Sequence, residues 1–405
     1  PRKALVSMLA RRARLRLRGL GFKPRDEAEL PAAELRRIDV CYALASIIGT
    51  VDTIRGADFQ TRHLLLALRA GEPYRVVRAL SVEAGFTACN GGRALPRLRK
   101  VVAAMHAAAE RVDHPFTTGL VAAEVGLSEF FLGHWRSADR ELRRAEDIFR
   151  TRCQGASYEI GICEFLRYNA LTWTGDLDVL IRELPAAQRA AVERGDRLKQ
   201  SNLQSSFLVY YWLAQDDAAG ARRAADQAIA GWSQAGFHIQ HANDLVAQTT
   251  VDLYGDDAAG ALRRLDDAWP ALERSLLLHI QQSLIEMIHL RGRAALAAAA
   301  ADEAVRVVCV RRAEKDARRI EGEKMDWGVA LATLLRAGIA ALRGRRDQAG
   351  LLLEAAIGQL EAADMLLYAA AARWQLGRRE AAGEWMKGKG IQAPDRFARL
   401  LVPGF

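Results

Sequence analysis

Proline and cysteine are scarce in this chain of 405 residues, with ten and five copies respectively. So little proline leaves long helices unbroken, because a proline inside a helix removes a backbone donor and collides with the preceding turn. Cys41, Cys89, Cys153, Cys163 and Cys309 are odd in number and widely spread, which excludes a secreted disulfide framework and points to a reducing, cytoplasmic setting. Long apolar runs are missing as well. The closest, Ala294 to Ala301, is short, mostly alanine and followed by Asp302 and Glu303, whereas a membrane span needs about 18 apolar residues. Arg11, Arg12, Arg14, Arg16 and Arg18 fall where a secretory signal would need its apolar core. Pro1 is not a start residue, so either a longer protein or a removed upstream tag is expected before it.

Signatures of catalysis are also lacking. There is no Gly-x4-Gly-Lys-Ser/Thr phosphate loop, no His-Arg-Asp with a downstream Asp-Phe-Gly, and no Gly-x-Gly-x-x-Gly. Gly91-Gly92-Arg93 has neither the following lysine nor a preceding strand and reads as a helix end. These residues are expected to carry no enzyme activity, cofactor or metal.

Acidic residues are missing from the first 25 positions, which hold nine basic ones; the remainder then has 49 of each sign and is formally neutral. The net charge of +9 therefore belongs to one terminal segment rather than to a repeated basic face. A solvated helix leading to an upstream domain is the first reading of that segment, and contact with an acidic surface the second. Nucleic acid comes last, because Phe22 is its sole aromatic and no stacking platform accompanies the arginines.

What the chain does hold is alanine, 74 residues of it, and this favours helices packed through small side chains. The sequence Asp216-Asp217-Ala218-Ala219-Gly220-Ala221 returns letter for letter as Asp256 to Ala261, 40 positions on. A comparable turn can be placed at Gly92, Gly133, Gly175, Gln215, Gly255, Gly292, Gly344 and Gly377, spaced by about 40 residues except for an insertion after Gly292. Small or apolar residues follow these turns at Ala138, Leu180, Ala221, Ala261, Ala349 and Ala382, where they let two helix axes approach. The reading is all-α, a right-handed α-solenoid of about eight hairpins over residues 74–388. Its first helices fall near 74–90, 116–132, 157–173, 197–213, 238–253, 277–291, 325–342 and 363–376. A helical segment over 1–73 precedes it, beginning with a basic helix over 1–20, and a tail over 389–405 follows. In the first helix Leu5, Met8, Leu9, Ala13, Leu17 and Leu20 form an apolar stripe at spacings of three and four, and Asp58 is placed to cap a helix from Phe59 to Ala70.

Two features invite a ligand. His238, His241 and Asp244 lie three apart, but their helix-start position and the lack of a fourth donor favour a polar or capping role over a metal. Asn202, Gln204, Tyr210, Tyr211, His238, His241, Asn243 and Gln248 fall on first helices of adjacent central repeats and are the expected groove for a protein, a peptide or a small effector. Trp135, Trp173, Trp212, Trp232, Trp269 and Trp327 recur near turns and read first as packing residues between hairpins.

Leu132-Gly133-His134-Trp135, followed by Ala138, Leu142 and Ala145, resembles a tetratricopeptide repeat, and the period of about 40 places it with the longer-helix relatives of that motif. Val51 to Arg62, Leu64 to Pro73 and the closing Pro394 to Phe405 are similar to the C-terminal region of large bacterial multidomain serine/threonine protein kinases. In that family a kinase domain and a signal-transduction ATPase precede a helical-repeat region. The resemblance implies an intracellular sensory or regulatory module acting on upstream kinase and ATPase domains. A homo-oligomerisation scaffold is the alternative expectation, and a nucleic-acid-binding module through the basic helix the second.

Overall fold

The computed structural model describes residues 2–49 and 52–405; Pro1 and Val51, the first residue of the Val51–Arg62 motif, lie outside the described residues. Among the described residues every regular element is helical. Before the hairpins come α1 (Arg2–Arg18), α2 (Ala32–Ile48) and α3 (Thr53–Ala70). The pairs that follow are α4 (Pro73–Ala88) with α5 (Leu95–Ala109), α6 (Pro115–Leu132) with α7 (Trp135–Arg152), and α8 (Ser157–Thr174) with α9 (Leu177–Glu193). In the fourth pair the first helix is broken into α10 (Arg197–Asn202) and α11 (Tyr210–Ala214), with α12 (Ala218–Ala230) as its second. The later pairs are α13 (Ile239–Tyr254) with α14 (Ala258–Arg274), α15 (Gln281–Ala301) with α16 (Glu303–Glu321), α17 (Asp326–Leu342) with α18 (Arg346–Ala362), and α19 (Leu366–Gln375) with α20 (Arg379–Gly388). A last helix, α21, spans Pro394–Leu401.

Consecutive helices pack in pairs, as a solenoid of helical hairpins requires. The chain divides into two compact units, Pro1–Leu132 with Ser137–Leu166, and Gly133–Arg136 with Arg167–Phe405. These limits differ from the expected division at residues 73 and 388.

The repeated hexapeptide has a local physical cause. Asp216 and Asp256 take the left-handed conformation, with φ of 55° and 59°. The next residues, Asp217 and Asp257, then cap the second helices by accepting from the backbone N–H of Gly220 at 2.7 Å and Gly260 at 2.8 Å. A Cβ on either glycine would strike the capping carboxylate. At Gly133 and Gly175, with φ of +83° and +80°, the turn itself demands glycine, and both turns lie so close to Trp327 or to Leu367 and Trp385 that no side chain fits. The small positions beyond the turns, Ala138, Leu180, Ala221, Ala261, Ala349 and Ala382, are all buried.

Three expectations need correction, and α1 adds a further finding. Gly292 is not a turn: it is buried inside α15, where a Cβ would meet the Leu335 side chain at 2.8 Å. Residues 293–324 are therefore no insertion; α15 runs on to Ala301, and Asp302 caps α16 by accepting from the Ala304 N–H at 2.8 Å. The stripe on α1 faces outward, with Leu9 56% and Leu17 91% exposed. Arg12 turns inward instead, because the fully buried Glu83 carboxylate needs cations and takes Arg12 at 2.6 Å and Arg97 at 2.9 Å. Asp58 does not cap α3, which begins earlier with Asp52 accepting from the Arg55 N–H at 2.9 Å, and Asp58 pairs with Arg11. Finally, the expected tail contains α21, whose Phe397, Leu400 and Leu401 are buried.

That last helix closes the C-terminal unit on itself. Gln392 donates its backbone N–H to the Ala214 carbonyl at 2.8 Å, Lys389 reaches Asp176 at 2.7 Å, and Arg396 reaches Asp216 at 2.6 Å. Inside lies a continuous aromatic cluster. Trp173 stacks on Trp135 and on Tyr368 with centroids 5.1 and 5.5 Å apart, Trp327 stands edge-on to both tryptophans, and Phe207, Tyr210, Phe397 and Tyr254 continue the contact.

Ala138 is fully buried early in α7, whereas Ala301 is exposed at the end of α15. Overpacking a core costs about 1–3 kcal/mol, while exposed substitutions stay within about 0.5 kcal/mol. Urea unfolding of Ala138→Leu should show the larger loss and that of Ala301→Leu the smaller; equal losses would mean that the close-contact position of the hairpin has been misplaced.

Candidate functional site

The residues expected to line a central groove do not form one surface. Tyr210 is buried, with its ring tilted against Phe207 and edge-on to Phe397 at 5.6 Å. It packs the interior because α21, distant in sequence, covers the face that the hairpin pattern alone leaves open. Asn202 and Gln248 are buried as well, and the Gln248 amide donates to Asp226 at 2.7 Å and Asp244 at 3.3 Å while its oxygen accepts from Arg222. Gln204, Tyr211 and Asn243 are half-buried, and Tyr211 stands edge-on to Trp212.

His238 and His241 build the start of α13. The backbone N–H of His238 donates to His241 Nδ1 at 3.0 Å, and the Trp232 indole N–H donates to His238 Nδ1 at 3.3 Å. Burial, then the neighbouring His238, lowers the His241 pKa, while burial raises that of Asp244. Among the described residues no three His, Cys, Asp or Glu side chains gather as a metal set would.

A different assembly of polar groups sits in the interior of the C-terminal unit. On α15, Gln282, Glu286, His289 and Arg293 follow one another at spacings of four, three and four, which puts them on one helix face. Gln282, His289 and Arg293 are buried. The Gln282 amide donates to the Glu286 carboxyl, whose pKa burial pushes up to about 8. His289 lies 5.7 Å from the Tyr368 ring and is held well below its usual pKa, first by burial and then by the Arg293 charge. The phenols of Tyr210 and Tyr368 both feel the Arg293 guanidinium, and burial raises both of their pKa values. Arg293 Nη1 donates to the Leu400 carbonyl at 3.1 Å.

The N-terminal unit has its own inner cluster. The Tyr42 hydroxyl donates to Glu159 at 3.3 Å, and the Arg78 guanidinium lies 3.8 Å over the Tyr42 ring. His63 is buried 5.6 Å away, and burial holds its pKa down to about 3. Burial also raises Glu124 to about 8 and Cys89 to about 12. Of the expected basic patch, Arg11 and Arg12 are engaged in ion pairs and Arg18 donates to the Leu68 carbonyl at 2.9 Å; Arg14 and Arg16 are exposed. A surface cleft of about 580 Å³ beside Trp269 also gathers cations. Its Arg291 is stacked 3.7 Å over the indole and held at 2.5 and 3.1 Å by Asp316, and Arg312 is held by Asp266 at 2.8 Å. Those charges serve the packing of α14, α15 and α16.

No protein-family model matches this chain, and no curated protein matches it in sequence. Arg293 and Tyr368, at the centre of the interior cluster, were not among the residues singled out from the sequence. The available signal was the spacing of Gln282, Glu286, His289 and Arg293, which a hairpin turn placed at Gly292 cuts in two.

Glu286 makes the interior sensitive to pH, and the sign follows from its raised pKa. The folded chain keeps the proton up to about pH 8, whereas the unfolded chain releases it near 4.5, so stability falls as pH rises through that window. Glutamine removes the ionisation, so the stability of Glu286→Gln relative to the parent should climb between about pH 5 and 8. Urea midpoints at the two pH values check this; a constant difference would show that the carboxyl is not held neutral.

Proposed function

We propose that this chain is a noncatalytic regulatory module: a right-handed solenoid of tetratricopeptide-like hairpins that binds a protein, a peptide or a small effector and reports it to upstream kinase and ATPase domains of a bacterial signalling protein in the cytoplasm. The observation that carries the reading is the enclosed polar face of α15, running from Gln282 to Arg293 among aromatic rings. Polar groups inside a helical stack oppose stability unless they are hydrogen-bonded, which leaves room for a ligand to complete such a set, and hairpins that contact mainly their neighbours pass on a local change in packing. The end motifs from Asp52 to Pro73 and from Pro394 to Phe405 favour attachment to a kinase and an ATPase, and they give the reading its particular partner domains.

A homo-oligomerisation scaffold is the second reading. It is favoured by the outward apolar face of α1, where Val6, Leu9 and Leu17 are exposed. Nucleic-acid binding is less favoured, since Arg11 and Arg12 spend their charge inside the unit.

Removing residues 52–405 from the full-length protein should change the activity of its kinase or its ATPase by several-fold, either by releasing inhibition or by abolishing stimulation. Radiolabel transfer and phosphate release measure the two activities. Unchanged values for both would defeat the regulatory reading, and a concentration-dependent dimer in sedimentation velocity together with unchanged activity would favour the scaffold.

A further inference from the structure

We infer that the interior of the C-terminal unit binds a small oxyanion, a carboxylate or phosphate group, on the Arg293 guanidinium between α15, α11 and α19. This deepens the effector-binding reading and rests on it. Arg293 is fully buried, at 0% exposure. Its Nη1 donates to the Leu400 carbonyl and the Tyr210 hydroxyl lies within reach of the guanidinium, but its Nε and Nη2 make no well-formed hydrogen bond. Among the described residues it makes no ion pair, while Arg291, two positions away, is held by both oxygens of Asp316. A buried cation without a counter-charge is strongly unfavourable. Leu400 lies at the end of α21, where the helix dipole offers at most about half a negative charge, so part of the guanidinium charge remains uncompensated.

The surrounding groups bring no compensating charge. The Tyr210 hydroxyl faces the Arg293 guanidinium and the Tyr368 hydroxyl, and both phenols are neutral because burial raises their pKa values. Guanidinium nitrogens can only donate. The tyrosine hydroxyls can accept from the guanidinium but carry no charge, so what is missing is a negative charge. Neither titratable neighbour on α15 supplies it: burial keeps the Glu286 carboxyl protonated at neutral pH and His289 uncharged. Ordered water would satisfy the donors but would leave the charge. The free Nε and Nη2 are the edge of guanidinium that takes two oxygens of a carboxylate or phosphate side by side. Because Leu400 belongs to α21, the site is complete only while that helix is docked, and a bound anion would hold the unit closed.

The test uses the whole chain with sodium phosphate or sodium acetate as probe, at ionic strength held constant with sodium chloride. Calorimetry and thermal unfolding are read together. One of the two anions should bind saturably near one per chain and raise Tm, and the one that does so identifies the oxyanion class. Arg293→Met should abolish that binding, and Arg293→Lys, which keeps the charge but loses the fork, should weaken it by about 10- to 100-fold. If the methionine variant does not fold, the lysine variant decides. The inference is overturned by the absence of saturable binding of either anion, by an equal effect of chloride, or by undiminished affinity in the variants. Loss of this inference alone would appear as negative anion titrations with kinase or ATPase activity still altered by deletion of 52–405; failure of the regulatory reading would appear as unchanged activities.

Discussion

The docking of α21 against the first helices of its own unit is the contact on which the C-terminal half depends. A stack of helical hairpins ends in faces that still need cover, and here the final helix turns back to cover the interior. Phe397, Leu400 and Leu401 enter buried, and side chains of this size each contribute about 1.5–3 kcal/mol on burial. The backbone bond from Gln392 to Ala214 and the ion pairs of Lys389 and Arg396 fix where they enter. Orphan carbonyls at the end of α21 are taken up by Arg293 at Leu400 and by Gln375 at Val402, 2.9 Å away. The glycine at 175 is a consequence of the same closure, because the turn must pass close to Leu367 and Trp385.

Buried acids paired with arginine set the register between neighbouring helices. Glu83 receives Arg12 and Arg97, Asp252 receives Arg222 and Arg264, and Asp316 receives Arg291. Such pairs add little net stability over an apolar replacement, but losing one partner costs about 3–5 kcal/mol, so they penalise any slipped packing. Arginine suits the task because its planar fork meets two carboxylate oxygens at once. This use also explains the composition of the N-terminal segment. Part of its excess positive charge is structural, turned inward by acids that lie later in the sequence.

The hairpins were legible because their signals are local. A left-handed Asp216 or Asp256 followed by a capping aspartate needs no distant partner, and neither does Ala138 beside its own turn. Gly292 was misread because a glycine that lets two helices approach looks, in sequence, like one that ends a helix. In α1 the apolar spacing was real, yet its direction was decided by Glu83, about 70 positions away, whose carboxylate gains more from arginine than leucine gains from cover. Tyr210 was placed in an open groove because nothing near residue 210 announces the return of α21. Arg293 stands beside an alanine run, and nothing local in the sequence marks it as buried.

The polar face of α15 is not a requirement of the fold. Leu284, Ile285 and Ile288 on the same helix are buried as ordinary core residues, and apolar side chains at 282, 286, 289 and 293 would continue that core without desolvating an acid, an imidazole and a guanidinium. Register does not need them either, since the long α15–α16 pair is already aligned by Arg291 and Asp316. A buried polar group retained for register would also be satisfied by its own chain, as Gln281 is by the Glu323 carbonyl and carboxylate at 3.0 Å. Arg293 differs in having donors left over and no carboxylate paired with it. The unmet demand is therefore chemical rather than architectural, and an oxyanion bound at Arg293 would meet it.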